Sequence, residues 1–283
     1  MGFLLASIVA SVLVSILLKL ARKKHVNIAQ AVAINYPIAT VCSLLFLKPN
    51  FSEFKFQSGG IYFILLGILL PTVFVIMGKA IQQQGIIKAD AAQRISLVIG
   101  LIFSFFIWKE DLASQKILGV FLAFSALIFL LLKSGKQQSK KNSWWLLLLV
   151  WLGYGSIDVL FKLISQTTNN DFAITLTFGF ILAGILIFSY LYLNKVNFKR
   201  SSIIAGFILG LLNFANIFSY IKAHQVLHEN PSLVFTGMNI GVIALATLLG
   251  LFIFKEKISH WNYLGIGLAI LAIIVLFLPL YFF

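Results

Sequence analysis

This sequence is short of charge, above all of negative charge. Only 8 Asp and Glu occur in 283 residues, and charged residues together make up 11% of the chain, against about 25% in soluble domains. With 60% hydrophobic residues and a mean hydropathy of +1.01, an ordinary water-facing surface is excluded. Cysteine is nearly absent. The single Cys42 lies inside an apolar run, which excludes a disulfide framework or a cysteine metal cluster. No stretch of polar residues is long enough to fold as a soluble catalytic domain. No G-x-x-x-x-G-K-[ST] motif occurs, so ATP is not the expected energy source. The alternation of polar and apolar residues that marks barrel strands is missing too; Trp144–Leu152 is apolar at nearly every position.

What the sequence does have is long apolar runs. A bilayer core of about 30 Å takes about 20 helical residues. Runs of that length fall near 3–20, 27–47, 60–81, 86–108, 114–132, 144–163, 172–193, 201–221, 231–254 and 260–282. The expected fold class is therefore an all-α polytopic membrane protein with ten transmembrane helices. The first run lacks a basic leading segment and a small-residue cleavage site, so it reads as a retained helix.

The chain also resembles itself. At an offset of 143, Leu18-Lys19-Leu20 meets Phe161-Lys162-Leu163, Gly67 meets Gly210, and Lys79-Ala80 meets Lys222-Ala223. At an offset of 146, Trp108-Lys109-Glu110 meets Phe254-Lys255-Glu256, and Gly119 meets Gly265. This divides the chain into a first five-helix repeat (1–135), a basic linker (136–142) and a second five-helix repeat (143–283). Five spans per copy is an odd number, so the second copy is inverted in the membrane. That architecture belongs to secondary transporters, whose site lies near the midplane where the repeats meet.

Basic residues orient the chain. Of the 22 Lys and Arg, six fall on the side of the termini and fifteen on the other, with Arg94 inside a span. The positive-inside rule places the fifteen in the cytoplasm and the termini outside. The formal net charge of +14 reads as headgroup contact and orientation. Nucleic acid is not an expected partner, because no domain exists to bind it.

The paired segments 105–119 (FFIWKEDLASQKILG) and 251–265 (LFIFKEKISHWNYLG) resemble the helix-closing signature of the drug/metabolite transporter superfamily, specifically its EamA-type ten-helix exporters. The resemblance extends over the chain through the five-plus-five layout. It implies membrane export of small metabolites, with the motif specific to the family and not to a substrate.

Ionisable groups inside spans are costly and mark functional candidates. Arg94 lies near the middle of the fourth span and Asp158 in the sixth, differing in depth by roughly 10 Å at about 1.5 Å per residue. Arg94 suits a carboxylate or phosphate, and Asp158 an ammonium or a coupling proton. Each also has a structural alternative, an i,i+4 partner in Asp90 and Lys162 respectively. The neutral polar candidates are Gln93 and Ser96 beside Arg94; Asn35 and Tyr36 before Pro37; Asn213, Asn216 and Tyr220 on one face of the eighth span; Asn239 between Gly237 and Gly241; and Ser15, which shares a face with Ser11. They line a polar cavity or, taken singly, hydrogen-bond between helices. Gly206-x-x-x-Gly210 allows close helix packing. His224-x-x-x-His228-Glu229, read as a loop between the eighth and ninth spans, has helical metal spacing but lacks the rest of a zinc signature. Glu110 and Glu256 read as loop structure.

The expected function is a secondary-active transporter of a small polar or amphipathic metabolite such as an amino acid. It would work by alternating access between the repeats, coupled to a proton or other gradient. A lipid-linked substrate flippase and a passive facilitator or channel are the alternatives. Neither a catalytic residue, a metal nor a cofactor is expected. The expected partners are the substrate, the bilayer and a coupling proton. The chain would act as a monomer or weak homo-oligomer in a bacterial inner membrane.

Overall fold

The computed structural model describes residues 1–23, 26–53, 56–84, 86–111, 113–131, 143–252 and 260–277. The basic linker 136–142 and the Lys255-Glu256-Lys257 corner lie outside them. Among the described residues there are helices and no strands. In chain order the α-helices are α1 (Gly2–Lys23), α2 (Ile28–Leu47), α3 (Phe56–Gln84), α4 (Ile86–Ile95), α5 (Leu97–Ile102), α6 (Ser114–Leu131), α7 (Trp145–Ser165), α8 (Asn169–Leu193), α9 (Arg200–Val226), α10 (Pro231–Phe252) and α11 (His260–Phe277). A π-turn over Phe103–Ile107 follows α5. Among the described residues, eight helical stretches are long and apolar enough to cross a bilayer, with Lys88–Ile107 running through α4, α5 and the π-turn; two shorter apolar ones cover Gly2–Leu18 and Ser114–Leu130. The chain is an integral, multi-pass membrane protein.

Helix ends follow local chemistry. Asn27 precedes α2 and accepts Gln30 N–H at 3.3 Å. Thr168 precedes α8, its hydroxyl accepting Asp171 N–H at 3.1 Å and donating to the Asp171 carboxylate at 2.8 Å, a reciprocal N-terminal cap. Pro231 opens α10, where its missing N–H is no loss. The next residue, Ser232, donates its N–H at 2.8 Å and its hydroxyl at 2.6 Å to Glu110. Lys116 Nζ lies 3.2 Å from the same carboxylate, which is 0% exposed. Glu110 thus anchors the corner after the π-turn to the start of α10.

The helices form two compact units, Met1–Val75 with Leu160–Gln225, and Ile76–Val159 with Val226–Phe283. Both sequence halves therefore contribute to each unit. In the first, α2 packs along α8, where Ser43 and Thr177 hydroxyls bond at 2.7 Å. Gly206 and Gly210 bring α9 onto the backbone of α2: a Cβ on either would sit 2.6 Å from Ala31 O or 2.8 Å from Asn35 O. In the second, α6 and α11 form the tightest pair, with Ala123, Ala126, Ala269 and Ala272 fully buried between them. A Cβ on Gly119 would stand 2.5 Å from Leu276, and one on Gly265 would stand 2.7 Å from Leu130. Both partners of one contact differ from those of the other by 146 residues, so the two contacts exchange under the repeat offset. Amides also bridge this pair: Gln115 donates to Val275 O, and Asn262 donates to Phe129 O and Leu130 O.

Three expectations change. The fourth span is not one helix; it stops at Ser96 and resumes as α5 before the π-turn. His224 is not in a loop, since α9 runs on to Val226 and buries it completely. Lys162, expected among the basic residues outside the membrane, is 1% exposed. Removing it leaves five basic residues on that side against fifteen and does not alter the orientation argument.

Candidate functional site

In the second unit the charges gather where α7 lies along α4 and α5. Leu146 and Val150 of α7 bury against Ala80 and Ala89, with Tyr154 and Ala92 packed beside them. One turn on, the Trp151 indole N–H donates to Ile95 O at 3.2 Å. This carbonyl is left over where α4 ends. Gly155 then lets α7 press on Ile99, to which a Cβ would come within 2.3 Å. The break itself is capped locally, with the Ser96 hydroxyl donating to Gln93 O at 2.6 Å.

This packing sets two i,i+4 pairs against each other: Asp90 and Arg94 on α4, Tyr154 and Asp158 on α7. Arg94 Nε is 3.6 Å from Asp90 Oδ1, with the arginine side chain 11% exposed and the aspartate 42%. Arg94 Nε is buried and makes no hydrogen bond. The charges of Arg94, Asp90 and Asp158 all reach the Tyr154 hydroxyl. Arg94 and Asp158, predicted in separate spans, therefore share a neighbour in Tyr154, which the sequence alone does not single out. A guanidinium, two carboxylates and a phenol thus fall on two packed helices. Gln93 is half-buried at its edge. Asn239 is in this unit but spends its amide on Phe235 O of its own helix, at 3.0 Å.

The first unit holds a second polar group, strung along α9. Asn213 donates to Asn35 Oδ1 of α2 at 3.1 Å. Asn216 donates to Ser7 O of α1 at 2.9 Å, and Ser7 Oγ donates to Asn216 O at 3.2 Å. These are interhelical bonds. Tyr220, buried, meets Phe161 edge-on at 6.0 Å and His224 at 4.9 Å. His224 feels the charge of Lys162. Tyr36 is also buried. Ser15 is exposed and bonds to Ser11 O of its own turn at 3.1 Å. The predicted residues thus divide: Asn35, Tyr36, Asn213, Asn216, Tyr220 and Ser15 in one unit, Gln93, Arg94, Asp158 and Asn239 in the other.

Lys162 and His224 were missed as interior groups. Continuing the spacing Asn213, Asn216, Tyr220 by four residues reaches His224, a signal that a longer eighth span would have exposed. Among the described residues no cluster of three or more His, Cys, Asp or Glu could hold a metal ion.

No family model matches the chain. An uncharacterised protein of Haemophilus influenzae is 47% identical over 282 residues, covering 97% of each chain. The chain belongs to that protein's family. A solved crystal structure at 14% identity superposes with a TM-score of 0.71 over 97% of each chain. At that identity it shows a common fold and no more.

Proposed function

We propose that the protein is a secondary-active transporter of a small polar or amphipathic metabolite, with the ten apolar helical stretches all crossing the membrane as two inverted five-helix repeats. The observation that carries this reading is the placement of Asp90, Arg94, Tyr154 and Asp158 on two packed membrane-spanning helices, with the three charges within electrostatic range of Tyr154. Charged side chains at membrane depth are costly, and a substrate or ion path is the usual reason for keeping them. A substrate carboxylate or phosphate would pair with Arg94. Its ammonium, or a coupling proton in its absence, would occupy Asp158, and the Tyr154 hydroxyl can donate to or accept from either. No bond is made or broken; the work is binding and release on opposite faces.

The exchange of the Gly119–Leu276 and Gly265–Leu130 contacts under the offset of 146 supports the repeat. Segments 105–119 and 251–265 support membership of the drug/metabolite transporters, and with it export from the cytoplasm of a bacterium across its inner membrane.

The test is a thermal-shift screen of the purified protein against amino acids, amines, nucleosides and sugars, followed by uptake into proteoliposomes for each hit. Ligand binding to the folded state raises the melting temperature by mass action. The expected result is a hit lost in Arg94→Ala and Asp158→Asn, with proton-driven uptake abolished in Asp158→Asn. A hit and full proton-coupled uptake in both variants would reject the reading.

A further inference from the structure

The turn between α8 and α9 is held in one shape. The Asn194 side chain donates to Tyr190 O at 2.7 Å, and Val196 N–H reaches back to Leu191 O at 3.1 Å. Lys195 takes a left-handed φ of 50° between them. Gln30, buried at the start of α2, clamps the end of the turn: its amide N–H donates to Asn197 O and its Oε1 accepts Lys199 N–H at 3.2 Å. Asn27 N–H donates to Ser202 Oγ at 3.2 Å, joining the starts of α2 and α9.

The clamped turn borders a groove of about 660 Å³ lined by Phe188, Ser189, Tyr192, Leu193, Val196 and Phe198. Phe188 and Phe198 stack with ring centres 5.8 Å apart. Tyr192 and Leu193 are 84% and 78% exposed. Three exposed basic residues, Lys195, Lys199 and Arg200, alternate with or directly follow the groove residues in the chain. No Asp or Glu occurs between Asp171 and Glu229, nor anywhere in α1 or α2, where the first acidic residue of the chain is Glu53. Lys19, Arg22 and Lys23 stand at the end of α1, shortly before Asn27.

We propose that this groove binds an anionic phospholipid, one acyl chain lying along Phe188, Leu193 and Phe198 and the phosphate resting on Lys195, Lys199 and Arg200. The charge complementarity selects the headgroup. A zwitterionic lipid fills the groove equally well but brings its own cation to a basic rim. A soluble anion uses the rim and leaves the groove empty. The turn lies on the side carrying fifteen basic residues, which faces the cytoplasmic leaflet under the positive-inside rule, where acidic lipids attract basic side chains. The site shares no residue with the Arg94 and Asp158 group and does not depend on the transport reading.

The experiment uses the full chain purified in mild detergent and titrated with phosphatidylglycerol or phosphatidylcholine of identical acyl chains, with retained lipid counted by native mass spectrometry. Phosphatidylglycerol should be retained preferentially. A combined Lys195→Gln, Lys199→Gln, Arg200→Gln variant should weaken that retention by about tenfold or more, since basic side chains near the membrane surface attract acidic lipids. Phe198→Ala should weaken both lipids. Lys79→Gln with Lys88→Gln, which removes two exposed charges elsewhere, should leave retention unchanged. Equal retention of both lipids, an unaffected triple variant, or an equal loss in the Lys79/Lys88 control would each overturn the proposal. If the triple variant does not fold, Arg200→Gln and Phe198→Ala decide it singly, wild-type retention in both counting against the groove.

Discussion

At the scale of single residues, burial sorts the few charges of this chain into two kinds. Lys195, Lys199 and Arg200 stand in the open, whereas Glu110, Lys162 and Arg94 do not. Glu110 is the structural one. Its carboxylate takes both donors of Ser232 and faces Lys116. Removing one partner of such a buried arrangement leaves the other groups unpaired. Glu110→Ala should therefore lower stability by about 3 kcal/mol, read as a fall in melting temperature in detergent. Glu110→Gln, which still accepts a hydrogen bond, should fall less. Equal melting temperatures for wild type and Glu110→Ala would refute this account. The sequence placed Glu110 in a structural corner because it ends a helix beside Lys109, matched by Glu256 beside Lys255 at the repeat offset. It could not show Lys162 as an interior group, since a lysine near the end of an apolar run reads equally well as a headgroup contact. Tyr154 was invisible for a similar reason: among 8 tyrosines, only the packing of α7 on α4 distinguishes it.

At the scale of helices, apolar run length located nearly every element, because bilayer thickness sets that length directly. Interruptions within a run were not legible. Neither proline nor glycine marks the stop at Ser96. The stop is visible only as the Ile95 carbonyl accepting from Trp151 and the Ser96 hydroxyl turning back to Gln93. The end of α9 was missed because polar His224 looked like a loop residue, although the fold buries it. The α4–α5 break carries a prediction. Gly155→Ala drives a methyl into Ile99, an overpacking that costs about 1–3 kcal/mol. Ile99→Ala should restore most of the lost melting temperature in the double variant. If Gly155→Ala is harmless, or Ile99→Ala gives no relief, α7 does not press on the break as described.

For the whole molecule, the sequence repeat and the packing of α6 on α11 meet in one detail, the paired contacts of Gly119 with Leu276 and of Gly265 with Leu130. The two sites differ in one respect: a Cβ on Gly265 also comes within 2.9 Å of the Leu130 backbone nitrogen, whereas one on Gly119 meets only the Leu276 side chain. Gly119→Val and Gly265→Val are both expected to lower the melting temperature, Gly265→Val by more. A loss absent from either variant would mean that the helices do not approach there as described. The charge rule adds a second expectation at this scale. A cysteine introduced beside Lys195 should react with a membrane-impermeant thiol reagent in inverted vesicles and stay protected in intact cells. The reverse pattern would turn the termini to the cytoplasm.

When residue i of one copy meets residue j of the other, and j of the first meets i of the second, the arrangement is that of a two-fold homodimer interface. The α6–α11 seam has this form. Its complementarity is then self-complementarity. Chains ending at residue 135 and beginning at residue 143, produced separately in the same cell, should find each other without a covalent tether.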